Sequence, residues 1–149
     1  MEKIFVSHSE ADTNALAERL AEISVQGDIW ALNGTLGVGK SVFARAFIKK
    51  LTGAHEVPSP TFTLLQTYSA KAFDIYHYDL YRLEKPSEIF ELGVEEAFYS
   101  GVSLVEWPER MASFSPRNMW QVKIEMVPEG RKITISTNDA DKEKRLENV

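Results

Sequence analysis

The run Gly34-Thr35-Leu36-Gly37-Val38-Gly39-Lys40-Ser41 satisfies G-x-x-x-x-G-K-[ST] at every fixed position. Each residue type in it has a physical task. The glycines allow backbone conformations barred to other residues, so that successive N–H groups from Gly34 through Leu36, Gly37, Val38 and Gly39 can turn toward one anion. The first turn of the following helix, Lys40-Ser41-Val42, adds its own free N–H groups and the positive end of the helix dipole. Lys40 offers a mobile cation to the β- and γ-phosphates, and the Ser41 hydroxyl suits Mg²⁺. By average residue usage the pattern arises by chance on the order of once in a few hundred chains of this length. The chemistry it implies is the binding of ATP, or a close nucleotide relative, with Mg²⁺.

Phosphoryl transfer needs a further carboxylate near the metal and a group that orients the nucleophile. Glu106 ends the apolar run Leu104-Val105, and Asp79 ends Ile75 to Tyr78. Both positions suit function because sites in α/β folds gather at the carboxyl ends of strands. A solvated strand-end acid is the bland reading of each. Thr61 follows a rigid Ser-Pro pair and is compatible with a loop that senses the γ-phosphate through Mg²⁺, or with a plain turn. His77 reads either as a base or, more commonly among aromatics, as a packed core residue. Arg82 suits a phosphate or a salt bridge with Asp79. Trp107 reads as core packing more readily than as a ligand stack. Arg131, after a glycine turn, suits stacking on a base through its planar guanidinium, or a plain surface position.

These residues need elements to hold them. Lys3 to Ser7 reads as a short strand. Ser9-Glu10-Ala11-Asp12 opens a helix with a serine cap and an acid three residues on, and Leu16, Leu20 and Ile23 follow at helical spacing. Asp28 to Asn33 is an apolar run typical of a buried strand. Phe43, Phe47 and Leu51 mark one face of the helix after the loop, which Gly53 can close. Thr63–Tyr68 and Ala72–Leu80 read as paired strands, Pro86-Ser87-Glu88 opens a helical stretch broken at Gly93, and Val102–Glu106 is a further strand. Trp120, Val122, Ile124 and Met126 alternate with polar residues, giving a strand with one wet face, and Arg131–Thr137 returns beside it after a turn at Val127–Gly130. Residues 138–149 read as a frayed polar tail or one exposed helix. The pattern predicts a three-layer α/β domain spanning residues 1–149, with a mixed sheet that is parallel around the loop and antiparallel toward its edges.

Composition narrows the function classes. The chain has 149 residues, the size of one domain, with 44% hydrophobic and 26% charged residues. No apolar run reaches the roughly 18 residues of a membrane span. The N-terminus lacks the apolar core of a signal peptide. The chain has no cysteine, which excludes disulfides, thiolate metal sites and cysteine nucleophiles and fits a cytoplasmic protein. The net charge of −5 and the scattered Lys and Arg argue against tight, direct nucleic-acid binding by this chain alone.

The combined elements, the loop with Ser59-Pro60-Thr61-Phe62-Thr63-Leu64, His77-Tyr78-Asp79-Leu80-Tyr81-Arg82-Leu83 and Leu104-Val105-Glu106-Trp107-Pro108, resemble the TsaE (YjeE) family of bacterial ATPases over roughly residues 9 to 135. The loop alone is shared by very many NTPases; the other three elements are far more specific. The resemblance implies a P-loop fold and a role in making threonylcarbamoyladenosine beside the anticodon of tRNA. It implies TsaD and TsaB as partners, with ATP hydrolysis resetting their complex and tRNA reached only through it. It also implies that Lys40 binds phosphate, that Ser41 and Glu106 hold Mg²⁺, that Thr61 belongs to a switch-like loop and that Asp79 supports water or metal. Glu10 and Thr13 would edge the nucleotide, and Arg131 would flank the adenine. The chain departs from the family at Thr35, where an acid is usual, and at Ser41, where Thr is common. Without the resemblance, a small-molecule kinase or a nucleotide-gated switch would stand beside an ATPase. No lid-like insertion is visible for a kinase, and the missing Asn-Lys-x-Asp motif weakly favours adenine over guanine.

Overall fold

Strand β2 (Ile29–Asn33) is buried on both sides through Leu32, as its unbroken apolar run requires, and it lies at the centre of the molecule. The computed structural model describes residues 1–149. Around β2 stand β1 (Glu2–Ser7), α1 (Glu10–Glu22), α2 (Lys40–Thr52), β3 (Leu65–Ser69), β4 (Asp74–Asp79), α3 (Val94–Ser100), β5 (Val102–Glu106), β6 (Trp120–Val127), β7 (Gly130–Ser136) and α4 (Ala140–Leu146). Tight 3₁₀ segments at Pro86–Leu92 and Pro108–Phe114 flank α3 and β5. All seven strands join one sheet in the order β1-β7-β6-β2-β5-β4-β3. The pairings β6–β2, β2–β5 and β5–β4 are parallel, while β1–β7, β7–β6 and β4–β3 are antiparallel. This is the mixed α/β arrangement that the order of elements predicts. No helix is long and apolar enough to cross a membrane.

Side-chain alternation splits the core into two clusters. Trp30, Leu32, Leu104 and Ile75 join Leu16 and Leu20 of α1 and Phe43 and Phe47 of α2 in the larger one. Ile29, Val105 and Tyr78 join Ile89, Val94 and Ala97 in the smaller one. The larger cluster centres on Trp30 and Trp120, cross-strand partners whose rings stack at 4.4 Å. Phe47 meets Trp30 edge-on at 5.7 Å. Trp30 Nε1 donates to Ser24 Oγ (3.1 Å), so the indole is buried with its polar edge satisfied.

Local signals set most of the boundaries. Ser9 caps α1 by accepting the Asp12 N–H at 3.2 Å, while Asp12 Oδ2 accepts from His8 N–H at 2.9 Å, one residue earlier than a reciprocal capping box would have it. Strand β3 begins at Leu65 rather than Thr63, because Leu64 adopts a left-handed conformation (φ 66°) and its N–H donates to Pro60 O at 2.7 Å. The β6–β7 hairpin closes at Gly130, whose φ is 144°. A Cβ there would collide with the carbonyl oxygen of Ser7 on β1. Only glycine lets the hairpin lie against the edge strand at this point.

The segment 138–149 is not a frayed tail. Asp139 caps α4 by accepting the Lys142 N–H at 3.1 Å, and Leu146 is fully buried in the larger cluster. Arg145 donates to both carboxylate oxygens of buried Asp28 at 2.6 and 3.1 Å, and to Ile23 O at 2.8 Å. Lys3 Nζ reaches the carbonyls of Glu147 and Val149 at 3.1 and 3.0 Å. Three apolar residues, Ala140, Leu146 and Val149, are too few in a charged segment to make a periodic stripe, and the partners lie far away in sequence, so the docking was not visible from the segment itself.

Two consequences are measurable. Leu146→Ala is expected to destabilise the protein by about 2–4 kcal/mol in urea titration, the cost of emptying a packed site; a loss under about 0.5 kcal/mol would mean that the helix frays. Gly130→Ala is expected to cost about 2 kcal/mol or more, combining a positive φ with a backbone collision. A neutral result would show that β1 can draw away from the hairpin.

Candidate functional site

The loop of residues 34–39 joins the carboxyl end of β2 to the start of α2. Gly34 has φ 152°, and a Cβ on it would lie 2.7 Å from Val38 Cγ1 and 2.8 Å from Ile124 O. The loop is therefore folded tightly over β6 at its first residue. At its other end, the opening N–H groups of α2 have no intrahelical acceptors and form an electropositive rim.

Lys40, Ser41, Thr61, Asp79, Glu106 and Trp107 line one cavity of about 260 Å³ beside this rim. The register explains why. Leu32 lies opposite Glu106 across β2 and β5, and Asp79 lies opposite Glu106 across β4 and β5. Three parallel strands thus end level with one another and present both carboxylates to the start of α2. Thr61 arrives from a separate loop, where its hydroxyl donates to Asp79 Oδ2 at 3.3 Å and lies 2.7 Å from Ser59 Oγ. Asp79 Oδ1 accepts the Tyr81 N–H at 3.1 Å. Both oxygens of Asp79 are therefore oriented by short-range bonds.

Lys40 is only 4% exposed. Its Nζ donates to Gly34 O at 2.7 Å and sits 3.6 Å from the centre of the Trp107 ring, a cation–π contact. Burial lowers the pKa of Lys40 below the usual lysine value, opposed by the charges of Glu106, Glu109 and Asp79. Trp107 itself takes a left-handed backbone conformation (φ 58°), which turns the chain sharply after Glu106, and Tyr81 packs on its ring at 4.9 Å. Leu36 lines the same cavity with a largely exposed side chain.

A second cavity of about 310 Å³ lies on the other side of the loop, with Glu10, Thr13, Val38, Val42 and Arg131 among its walls. Gly37, Gly39 and Val42 line both cavities, so the two are neighbours on either side of the loop. Arg131 Nε donates to Val38 O at 2.7 Å, which anchors the guanidinium to the loop. Thr13 Oγ1 shares a hydrogen bond with Ser7 Oγ at 2.7 Å, tying α1 to β1 at the cavity wall. Of the residues singled out from sequence, Gly34, His77 and Arg82 line neither cavity; Gly34 contributes the carbonyl that receives Lys40.

The oxygen donors Ser41, Thr61, Asp79 and Glu106 suit a hard cation such as Mg²⁺. No group of three or more His, Asp or Glu side chains forms a metal cage by itself. The set therefore fits a metal that takes most of its ligands from phosphate and water, as Mg²⁺ does in nucleotide sites.

For three residues the structure adds to the sequence reading. His77 is packed in the core as its aromatic neighbours suggest, yet its Nε2 lies 2.7 Å from Glu106 Oε2. Strand alternation from Asp79 back to His77 carried that signal. Trp107 packs against the smaller core cluster, as its apolarity suggests, and also forms a wall of the site. Arg82 stacks over Phe62 at 4.6 Å, and its guanidinium is not paired with Asp79. Ser7 and His8 line the second cavity, and nothing in their local sequence pointed there.

Comparisons with known proteins identify the family. The family profile described as "Threonylcarbamoyl adenosine biosynthesis protein TsaE" matches residues 7–133. A protein from Rickettsia felis named tRNA threonylcarbamoyladenosine biosynthesis protein TsaE is 41% identical over 140 residues, covering 93% of this chain and 82% of its own. The protein of the same name from Bacillus subtilis is 38% identical over 114 residues, covering 76% and 71%. The crystal structure of Bacillus subtilis YdiB superposes with a TM-score of 0.81 at 29% identity, covering 99% of this chain and 92% of its own. With the profile spanning most of the chain and relatives of this similarity, the chain belongs to the TsaE family of tRNA threonylcarbamoyladenosine biosynthesis.

Proposed function

We propose that this protein is a Mg²⁺-dependent ATPase of the cytoplasm that acts with TsaD and TsaB in modifying tRNA next to the anticodon, its ATP hydrolysis resetting their complex. The observation that carries the reading is the cavity in which Lys40, Ser41, Thr61, Asp79 and Glu106 converge on a glycine loop, next to a second cavity edged by Glu10, Thr13 and Arg131. The curated relatives' names supply the pathway. The net charge of −5 favours reaching tRNA through partners over binding it directly.

In this reading the cleft's residues divide the work. The loop N–H groups and Lys40 hold the phosphates, and Lys40 exchanges the Gly34 carbonyl and the Trp107 face for phosphate oxygens. Ser41 and Glu106 hold Mg²⁺, which when bound neutralises charge on the phosphates during transfer. Asp79, already oriented by Thr61 and the Tyr81 N–H, accepts a hydrogen bond from the attacking water. Glu10, Thr13 and Arg131 border the space for the nucleoside, with the Arg131 guanidinium held rigid against Val38 O for contact with the base.

Lys40→Ala is expected to weaken ATP binding by about 10- to 100-fold, since a charge-assisted phosphate contact is lost; unchanged affinity and turnover would remove this cleft as the site. Glu106→Ala is expected to keep ATP affinity within about tenfold yet slow hydrolysis by about 100-fold or more. A normal rate in the presence of partners would exclude the metal role. The deciding experiment measures ATP hydrolysis by the purified protein alone and with TsaD and TsaB from the same source. The reading expects a low rate alone that rises with both partners. Tight ATP binding with no response to them would instead favour a small-molecule kinase or a nucleotide switch.

A further inference from the structure

His77 lies directly behind Glu106. The two residues belong to adjacent parallel strands, β4 and β5, in which His77 pairs with Leu104 and Asp79 with Glu106. Period-two alternation puts His77, Asp79, Leu104 and Glu106 on one face of the sheet. Glu106 reaches forward into the cavity that holds Ser41, whereas His77 forms no part of the cavity wall. Both side chains are buried, His77 at 2% and Glu106 at 3% exposure. His77 Nε2 stands 2.7 Å from Glu106 Oε2, and this is the side-chain hydrogen bond that Glu106 makes.

A glutamate has three side-chain torsions, and burial away from water gives its carboxylate no solvent to restrain it. A carboxylate can only accept, so the imidazole proton sits on Nε2 and points at Oε2. The other ring nitrogen, Nδ1, is buried with no hydrogen-bond partner, so the contact to Glu106 is the one polar contact that the ring makes. With Oε2 so occupied, Oε1 is the oxygen left for the cavity.

We propose that His77 is a positioning residue: it fixes the rotamer of Glu106 through Nε2 so that one carboxylate oxygen is presented to the metal ion of the bound nucleotide. This assignment rests on the ATPase reading of the same cleft and adds a residue that does not touch substrate. Partners that orient a metal-binding carboxylate from behind typically matter by about 10- to 100-fold in metal affinity or activity.

Two amide substitutions separate orientation from bulk. In Gln the donor nitrogen is as many bonds from Cβ as the imidazole Nε2, whereas in Asn it is one bond short. His77→Gln therefore keeps the bond to Glu106 and His77→Asn loses it. The measurement is ADP affinity in EDTA, followed by Mn²⁺ affinity of the ADP complex read by electron paramagnetic resonance. For His77→Asn the expected result is unchanged ADP affinity in EDTA, with Mn²⁺ binding weakened about 10- to 100-fold. For His77→Gln, Mn²⁺ affinity should return to within about threefold of wild type. Wild-type Mn²⁺ affinity in both variants, or equal loss in both, overturns the proposal. A fall in EDTA affinity matching the Mn²⁺ loss also overturns it, as that is the mark of a purely structural role. A second measurement uses no substitution: the His77 ring ¹⁵N resonances of wild type should shift when Mg²⁺ joins the ADP complex, and unmoved resonances overturn the proposal even where a variant does not fold. Failure of wild type to bind ADP at all would instead strike the nucleotide reading itself, an outcome distinct from intact Mn²⁺·ADP binding that is indifferent to residue 77.

Discussion

The parallel pairing of β2, β5 and β4 is the constraint on which the site depends. Leu32, Glu106 and Asp79 stand level across the three strands, so the chain leaving β2 becomes the loop at the place where β5 and β4 present their carboxylates. A one-residue slip between β4 and β5 would turn Asp79 or Glu106 to the opposite face, and His77 would lose Glu106 with it. The register is held because one face must bury Ile75 and Leu104 and the other Tyr78 and Val105. Hydrophobic alternation thereby sets the spacing of the polar groups.

The polar groups gathered there are costly to bury. Lys40, Asp79, Glu106 and His77 are all nearly inaccessible to water, and each is held by a specific contact: Lys40 by a carbonyl and an indole face, Asp79 by a hydroxyl and an N–H, Glu106 by an imidazole. Buried charge without a partner is strongly unfavourable, so these contacts also keep the unliganded cleft foldable. Lys40 in particular is stored against Trp107 and Gly34 O, both neutral acceptors that a more strongly charged ligand can outcompete. A partly buried ion pair, Arg145 with Asp28, does comparable structural service far from the cleft by fastening α4 under the start of β2.

Much of this was legible before any coordinates. The glycine loop, the apolar strand before it and the amphipathic helix after it are local patterns, and each lies where its residues predict. Glu106 and Asp79 were singled out because they end apolar strands, and the sheet brings both to the one cavity. The less visible features share a physical cause. His77 looked like core because burial and function are not exclusive: it is core, and it also bonds to a carboxylate on another strand. Trp107 was read by its apolarity, whereas its role at the wall follows from a left-handed backbone that its sequence does not advertise. The docking of α4 depends on Asp28 and Lys3, partners that meet it only after folding.

The sequence by itself determined the fold class, the glycine-rich loop and the family, because these rest on residue types at short, fixed spacings along the chain. The tertiary structure alone decided that His77 bonds to Glu106, where Lys40 rests, that Arg82 stacks on Phe62 instead of pairing with Asp79, and that the last residues are anchored. Those outcomes depend on side-chain directions and contacts between distant strands and helices, which register and packing set only when the whole sheet has closed around β2.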